Sequence, residues 1–357
     1  MAESKKRQTL SIRAKRILVL SCLSLLLLLG FFLCLMLGSS SLSFGDSFLA
    51  LFGVGTESAI RIVTKIRLPE ALAALIAGAG LSLSGLIMQT VLGNIMASPS
   101  TLGVSNAAVF GANVSIVLFA GGYVSLGKNA DNFFSSGNPF ATSSMAFLFA
   151  FLSVLLILCL CRIRSFNPSS VVLSGVAIGA IWTAGTTVLQ FYATDVGLSA
   201  AVVWSFGDLG RATFLTDAIM GGAVLLSAIV FFLLRYRYNA LLRGEAFARS
   251  LGVKVGAFRF ISLLLSSLVT AVCVSYLGVI GFVGIICPHI VRKLLGENHS
   301  HLIPASLLCG ASLLLLSNVF AKAIAPGNSL PIGAVTSLLG APFFLYLIFS
   351  EKGASRC

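Results

Sequence analysis

The sequence predicts an all-α, polytopic membrane protein with about ten transmembrane helices, and three observations carry that reading. Of the 357 residues, 57% are hydrophobic and only 10% are charged. Mean hydropathy is +1.02. Apolar runs of roughly 20 residues, the length a helix needs to cross a hydrocarbon core, recur along almost the whole chain. A soluble domain of this size would precipitate with such a surface, so lipid is the solvent. The runs leave one membrane domain, 17–350, between an N-terminal tail at 1–16 and a C-terminal tail at 351–357, with no room for a second, soluble domain.

Runs bounded by Pro, Gly and charge place spans near 17–38, 69–90, 104–122, 142–161, 170–192, 215–234, 258–277, 280–294, 304–322 and 331–349. The first follows Lys5, Lys6, Arg7, Arg13, Lys15 and Arg16. Its apolar part exceeds the roughly 7–15 residues of a signal-peptide core, so it reads as an uncleaved helix. The second begins at Pro69 and the tenth at Pro331, where proline suits a first helical turn because no backbone donor is lost there. Gly78, Gly80 and Gly85 on the second span, and Gly175 and Gly179 on the fifth, permit close helix approach. The fifth also carries Ser174, Thr183, Thr186, Thr187 and Gln190, a modest polar stripe. The eighth is short, and the Gly/Pro-bearing stretch 277–288 is expected to be partly irregular, which is tolerated where backbone is buried in protein.

With the N-terminus inside, the loops and tails on that side hold 18 of the 24 basic residues, as the positive-inside rule requires. The net charge of +13 is therefore topology and headgroup contact rather than a nucleic-acid surface. Arg61, Lys65, Arg67, Lys128, Arg211 and Lys322 remain outside, three of them crowded before the second span. Such clustering reads either as solvated loop charge or as a dock for an acidic partner.

All eleven acids fall in loops, tails or span ends, which weighs against a proton-driven carrier with paired ionisable groups at mid-membrane depth. A sodium site built from backbone carbonyls escapes that test, so an ion-coupled secondary transporter stays open as an alternative. The sequence has no GxxxxGK[ST] phosphate loop, no HExxH and no GxSxG. The eight cysteines form no CxxC or spaced Cys/His set and read as small hydrophobes. His289, His299 and His301 read as interfacial polar residues rather than a metal site.

Five segments, in order, carry a resemblance. They are Arg67-Leu-Pro-Glu70 leading into AALIAGAGLSLSGLIMQ (73–89), NIMASPSTLGVS (94–105), GEAFARSLGV (244–253), GVIGFVGIICPHIVR (278–292) and SLPIGAVTSLLGAPFFLYL (329–347). Together they resemble the FecCD type of ABC transporter permease, whose members import iron siderophores, haem and vitamin B12. The likeness spans roughly 60–350.

The resemblance implies a type II ABC importer permease, working as a homodimer by alternating access in the cytoplasmic (inner) membrane of a bacterium, with both termini cytoplasmic. It implies two cytoplasmic ABC ATPase subunits and an extracytoplasmic substrate-binding protein as partners. This chain then binds no cofactor and performs no chemistry; ATP and Mg sit on the ATPase. The loop 239–257, and within it Gly244, Glu245, Ala246, Arg249, Ser250, Leu251 and Gly252, is the ATPase contact. Glu245 and Arg249 stand four apart, a spacing that suits a short surface helix. Arg67, matching the first arginine of the family's RLPR motif, and Lys322 are implied to dock the binding protein. Glu70 departs from the motif by reversing the charge of the second arginine, so Arg61 and Lys65 are expected to supply the missing attraction, or the partner a complementary base. The fifth span is implied to line the central path, with Ser174, Thr183, Thr187 and Gln190 along it and Met96 and Ser169 closing its inner end. A manganese/zinc-type ABC permease is the remaining alternative, for which acidic or histidine ligands in the path are expected and not found.

Overall fold

The computed structural model describes residues 2–38, 42–119, 139–163, 168–324 and 330–351. Lys128, Arg164, the end of the third expected span at 120–122 and the C-terminal tail from 352 lie outside the described residues. Every element of regular structure among those described is helical. Helix α1 (Ala2–Met36) runs the length of the bundle, and two short helices, α2 (Phe44–Leu51) and α3 (Glu57–Ile62), follow. Next come α4 (Leu68–Leu92), α5 (Val104–Asn113), α6 (Pro139–Ile163), α7 (Pro168–Phe191), α8 (Asp195–Ser205) and α9 (Phe214–Leu233). The short pair α10 (Arg235–Leu242) and α11 (Glu245–Ser250) precedes α12 (Val255–Leu277), α13 (Val283–Leu295), α14 (His299–Ile324) and α15 (Ile332–Glu351).

Seven of the ten expected spans are present as helices long and apolar enough to cross a membrane. The expected third and eighth appear as the shorter α5, continued by a π-helical stretch to Phe119, and α13, and the expected tenth as the 20-residue α15. Helix α8, a short apolar helix capped by Thr194 accepting from the Gly197 N–H, lies between the fifth and sixth expected spans, where no helix is expected.

Helix α4 is the axis around which the others pack: α1, α9, α12, α13 and α14 all lie against it. The reason is its surface. From Ala71 to Gly85 small side chains dominate, so neighbours approach to backbone contact. A methyl group at Gly78 would strike the Gly310 backbone of α14, and one at Gly85 the Gly284 backbone of α13. The Ser82 hydroxyl donates to the Ser306 carbonyl at 2.8 Å across the first of these contacts.

Pro69 does not start the second span, contrary to the sequence expectation. The helix is continuous from Glu57 to Leu92, with a π-helical widening at Val63–Arg67 just before the proline. Pro69 has no N–H to return to the preceding turn, and the wider turn absorbs that missing bond. Pro331 does precede its helix, its carbonyl accepting from the Ala334 and Val335 N–H groups.

Two irregular segments explain the short spans. After α4 the chain turns at Gly93 (φ +57°) and residues 94–103 fold back among the helices before α5 begins. Ala97, Ser98 and Leu102 are buried there, and the Thr101 hydroxyl donates to the Ser98 carbonyl at 2.7 Å, satisfying backbone that cannot reach water. The second segment, 278–282, ends at Phe282, a non-glycine residue in the left-handed region (φ 64°) at the start of α13. The two meet where Gly284 lies against Pro99 and the Leu81 carbonyl.

These backbone contacts predict that Gly85→Ala overpacks the α4–α13 crossing and lowers stability by about 1–3 kcal/mol. It is read as a lower thermal midpoint of the detergent-solubilised protein. Gly222→Ala, on an open face of α9 with nothing within 4 Å of the added methyl, leaves the midpoint unchanged or slightly raised.

Candidate functional site

The bundle has two ends with different chemistry. The near end is where α1 departs, marked by Arg16 Nη1 at 3.1 Å from His301 Nε2 at the start of α14. The far end holds Met36, Arg67 and Lys322.

At the far end the basic residues separate into two kinds. Arg61 and Lys65 are exposed; Arg61 pairs with Glu57 one turn earlier at 3.2 Å, and Lys65 stands 5.9 Å from the centre of the Phe214 ring. Arg67 is only 3% exposed. Its Nη1 donates at 2.9 Å to the carbonyls of Leu35 and Met36 and to Ser47 Oγ, so it caps the end of α1. Gly38 makes room for that guanidinium, since a side chain there would occupy the same space. Lys322, also buried, meets Glu70 Oε2 at 2.8 Å.

Arg67 and Lys322 therefore do not form an accessible dock, contrary to the sequence expectation. Burial in a low-dielectric bundle obliges each to find an internal partner. The same pair accounts for Glu70. An acid at that position is the counter-ion of Lys322 and staples α4 to α14.

At the near end, α10 and α11 project between α9 and α12. Gly244 (φ 108°) and Gly252 (φ 78°) bracket α11, in backbone conformations that favour glycine. Ala248 points inward and is fully buried, while Ala246, Phe247, Arg249, Ser250 and Leu251 face out. Glu245 joins Arg249 at 3.2 Å, the expected one-turn pair, and also reaches Arg259 Nη2 of α12 at 2.6 Å. The second partner was not visible in the sequence.

Close by lies a cleft of about 700 Å³ between the turn after α4 and the first turns of α7, lined by Leu92, Gly93, Asn94, Pro168, Ser169, Val172, Leu173 and Val176. Met96 sits on the same turn, half exposed, its N–H held by Asn94 Oδ1 at 2.9 Å. Met96 and Ser169 are thus both at the mouth where the sequence reading expects a gate.

Helix α7 packs one side on α5 and α6, with Gly175 against Thr101 and Leu102 and Gly179 against Gly103 and Asn106. Its polar residues divide. Thr183 and Thr187 are exposed, each hydroxyl donating to the carbonyl four residues earlier. Gln190 donates to Asn113 Oδ1 of α5 at 3.2 Å, and Ser174 is half-buried. Gln190 is therefore tied to α5, a correction to its expected place on the path, because polar groups in an apolar medium turn to neighbouring helices for partners. The open face of α7 is chiefly apolar: Leu173, Ile181 and Phe191 are 71%, 66% and 80% exposed.

One feature escaped the sequence reading. Asp217, in the first turn of α9, is 4% exposed, and neither carboxylate oxygen has a hydrogen-bond partner among the described residues. No group of three or more His, Cys, Asp or Glu side chains suited to a metal occurs among the described residues.

Losing one member of the buried far-end pair is expected to be damaging. Lys322→Met strands the Glu70 carboxylate and costs about 3–5 kcal/mol, whereas the double change Lys322→Met with Glu70→Leu recovers most of it. The recovered yield of monodisperse protein in detergent reads both.

Comparison with known proteins agrees with this arrangement. An ABC transporter permease protein of Methanocaldococcus jannaschii is 43% identical over 335 residues, covering 94% of this chain and 95% of its own length. The hemin transport system permease of Yersinia pestis is 33% identical, covering 91% of this chain and 96% of its own. Among solved structures, an inward-facing metal-chelate type ABC transporter superposes with a TM-score of 0.78 at 28% identity, covering 94% of this chain and 99% of that one. The profile of the FecCD transport family matches residues 26–350. With the family's motifs, its helical architecture and its length all present, the chain belongs to the FecCD transport family.

Proposed function

We propose that this chain is the membrane-spanning subunit of an ATP-driven importer whose cargo is a metal chelate: a ferric siderophore, haem or a cobalamin. The observation that carries the reading is the coincidence, at one end of the bundle, of an exposed short helix and a cleft. Helix α11 presents small and apolar residues outward on a stiff, glycine-bracketed support, which suits insertion into a groove on another protein. The cleft beside it, bounded by Met96, Ser169 and α7, is where a pathway would open or close.

In this reading the near end is cytoplasmic, as the concentration of basic residues there favours, and both termini lie on that side of a bacterial inner membrane. Two copies face each other across the apolar side of α7, with Thr183 and Thr187 towards the shared axis. A wall this poor in charge suits a large cargo that must pass without being gripped. Residues 17–350 act as one domain. The ATPase subunits bind α10–α11 and carry the ATP and Mg; this chain binds no cofactor and hydrolyses nothing. An extracytoplasmic binding protein docks at the far end, where Arg61 and Lys65 offer the accessible positive charge. Specificity for cargo then rests largely with that protein.

Asp217 favours a second reading, because a buried acid without a partner is what an ion-coupled carrier uses. One experiment separates the two. Vesicles holding this chain with its ATPase, and with the binding protein on the outside, are supplied externally with labelled ferric siderophore, haem or cobalamin. ATP-dependent uptake of one cargo, lost in Glu245→Arg and retained in Asp217→Asn, is the expected result. Uptake that persists without the ATPase, follows an ion gradient and vanishes in Asp217→Asn assigns the chain to the carriers instead.

A further inference from the structure

Residues 89–91 form the last turn of α4, and each is gripped by a side chain from a different helix. Gln89 Oε1 accepts from Arg292 Nη1 of α13 at 3.1 Å. Thr90 Oγ1 lies 2.9 Å from His299 Nε2, and the other nitrogen of that ring, Nδ1, lies 3.0 Å from Asn239 Oδ1 of α10. The Val91 carbonyl, among the last four of the helix and so without an intrahelical donor, accepts from Arg259 Nε at 3.1 Å. Arg259 in turn holds Glu245 Oε1 of α11 at 2.6 Å. The two short helices at the near end thus reach adjacent residues of α4, each through one buried side chain: α10 through His299, and α11 through Arg259.

The chain immediately beyond is the turn at the cleft. The Asn94 N–H donates to the Gln89 carbonyl at 3.1 Å, and Gly93 to Thr90 at 3.4 Å, so the turn bearing Met96 is bonded to two of these three residues and follows the third in the chain.

We propose that Arg259 and His299 are positioning residues that transmit displacement of α10–α11 to the turn 93–96. The inference deepens the reading of α11 as the ATPase contact and rests on it. Arg259 is 7% exposed, so its ion pair with Glu245 is shielded from water and costly to separate. When α11 moves, the guanidinium follows, and its Nε donor draws the Val91 carbonyl and the turn with it. His299, fully buried and stacked on Tyr238 at 5.4 Å between ring centres, has no room to rotate away from Asn239 or Thr90.

The test uses the full complex of permease, ATPase and binding protein in vesicles, and reads cargo delivered per ATP hydrolysed. A second readout is labelling of Met96→Cys by an impermeant maleimide with and without ATP, in a background carrying Cys22→Ser, Cys159→Ser and Cys357→Ser. Arg259→Gln is expected to lower cargo per ATP about tenfold and to abolish the ATP-dependent change in labelling, a loss within the usual range of coupling between sites. Arg259→Lys, which keeps a charged donor, is expected to restore most of both. The exchange Glu245→Arg with Arg259→Glu re-forms the ion pair but leaves Val91 without a donor, and is expected to stay uncoupled. An Arg259→Gln protein within about twofold of the wild type in both readouts, or an exchange variant that recovers coupling, overturns the proposal. Wild-type uptake that needs no ATPase fails the importer reading itself and is distinguishable, because it appears before any variant is made.

Discussion

The constraint on which the structure depends is that α4 must be surrounded on every side. Water cannot drive helices together inside a membrane, so close packing and interhelical bonds must do so. Alanine, glycine and serine along α4 bring the backbones of α13 and α14 into contact at Gly85–Gly284 and Gly78–Gly310, closer than any branched side chain would permit. A helix so deeply enclosed has no solvent for the polar groups it carries, and buried side chains from its neighbours supply their partners. Lys322 serves Glu70 at one end; Arg292, His299 and Arg259 serve residues 89–91 at the other.

That arrangement divides labour along one helix. The far end is stapled to α14 by a buried ion pair, while the adjacent Arg67 holds down the end of α1. The near end is connected through side chains to the two short helices that face solvent and leads directly into the turn at the cleft. A stiff helix anchored at one end and steered at the other is a suitable lever. The broken segments 93–103 and 278–282 let the chain turn within the bundle, since backbone that bonds to itself and is covered by protein can be irregular at that depth. Phe282, held at positive φ, is the most strained of these positions.

Much of this was legible in the sequence. Apolar length and positive charge gave the spans and their grouping, because crossing a hydrocarbon core imposes a length that no neighbouring helix can relax. The glycines of the second span announced close packing, and Glu245 with Arg249 announced a short helix. The residues singled out from the family motifs fall on the exposed helix α11 and, with Met96 and Ser169, beside one cleft. Helix α8 was missed, because its eleven residues are too short for the span pattern.

The sequence alone determined the solvent, the approximate number of crossings and the family, since these depend on composition and local order. Only the tertiary structure decided which charges are available. Arg61 and Arg67 look alike in the sequence, yet one is exposed and the other caps α1. Glu70 looked like a defect in a docking motif until Lys322, 252 positions away, stood beside it. Gln190 belonged to the polar stripe until Asn113 of α5 claimed it. The physical reason is common to all three. In a low-dielectric interior a polar group takes whichever partner the fold brings within about 3 Å, and that partner comes from a distant part of the chain.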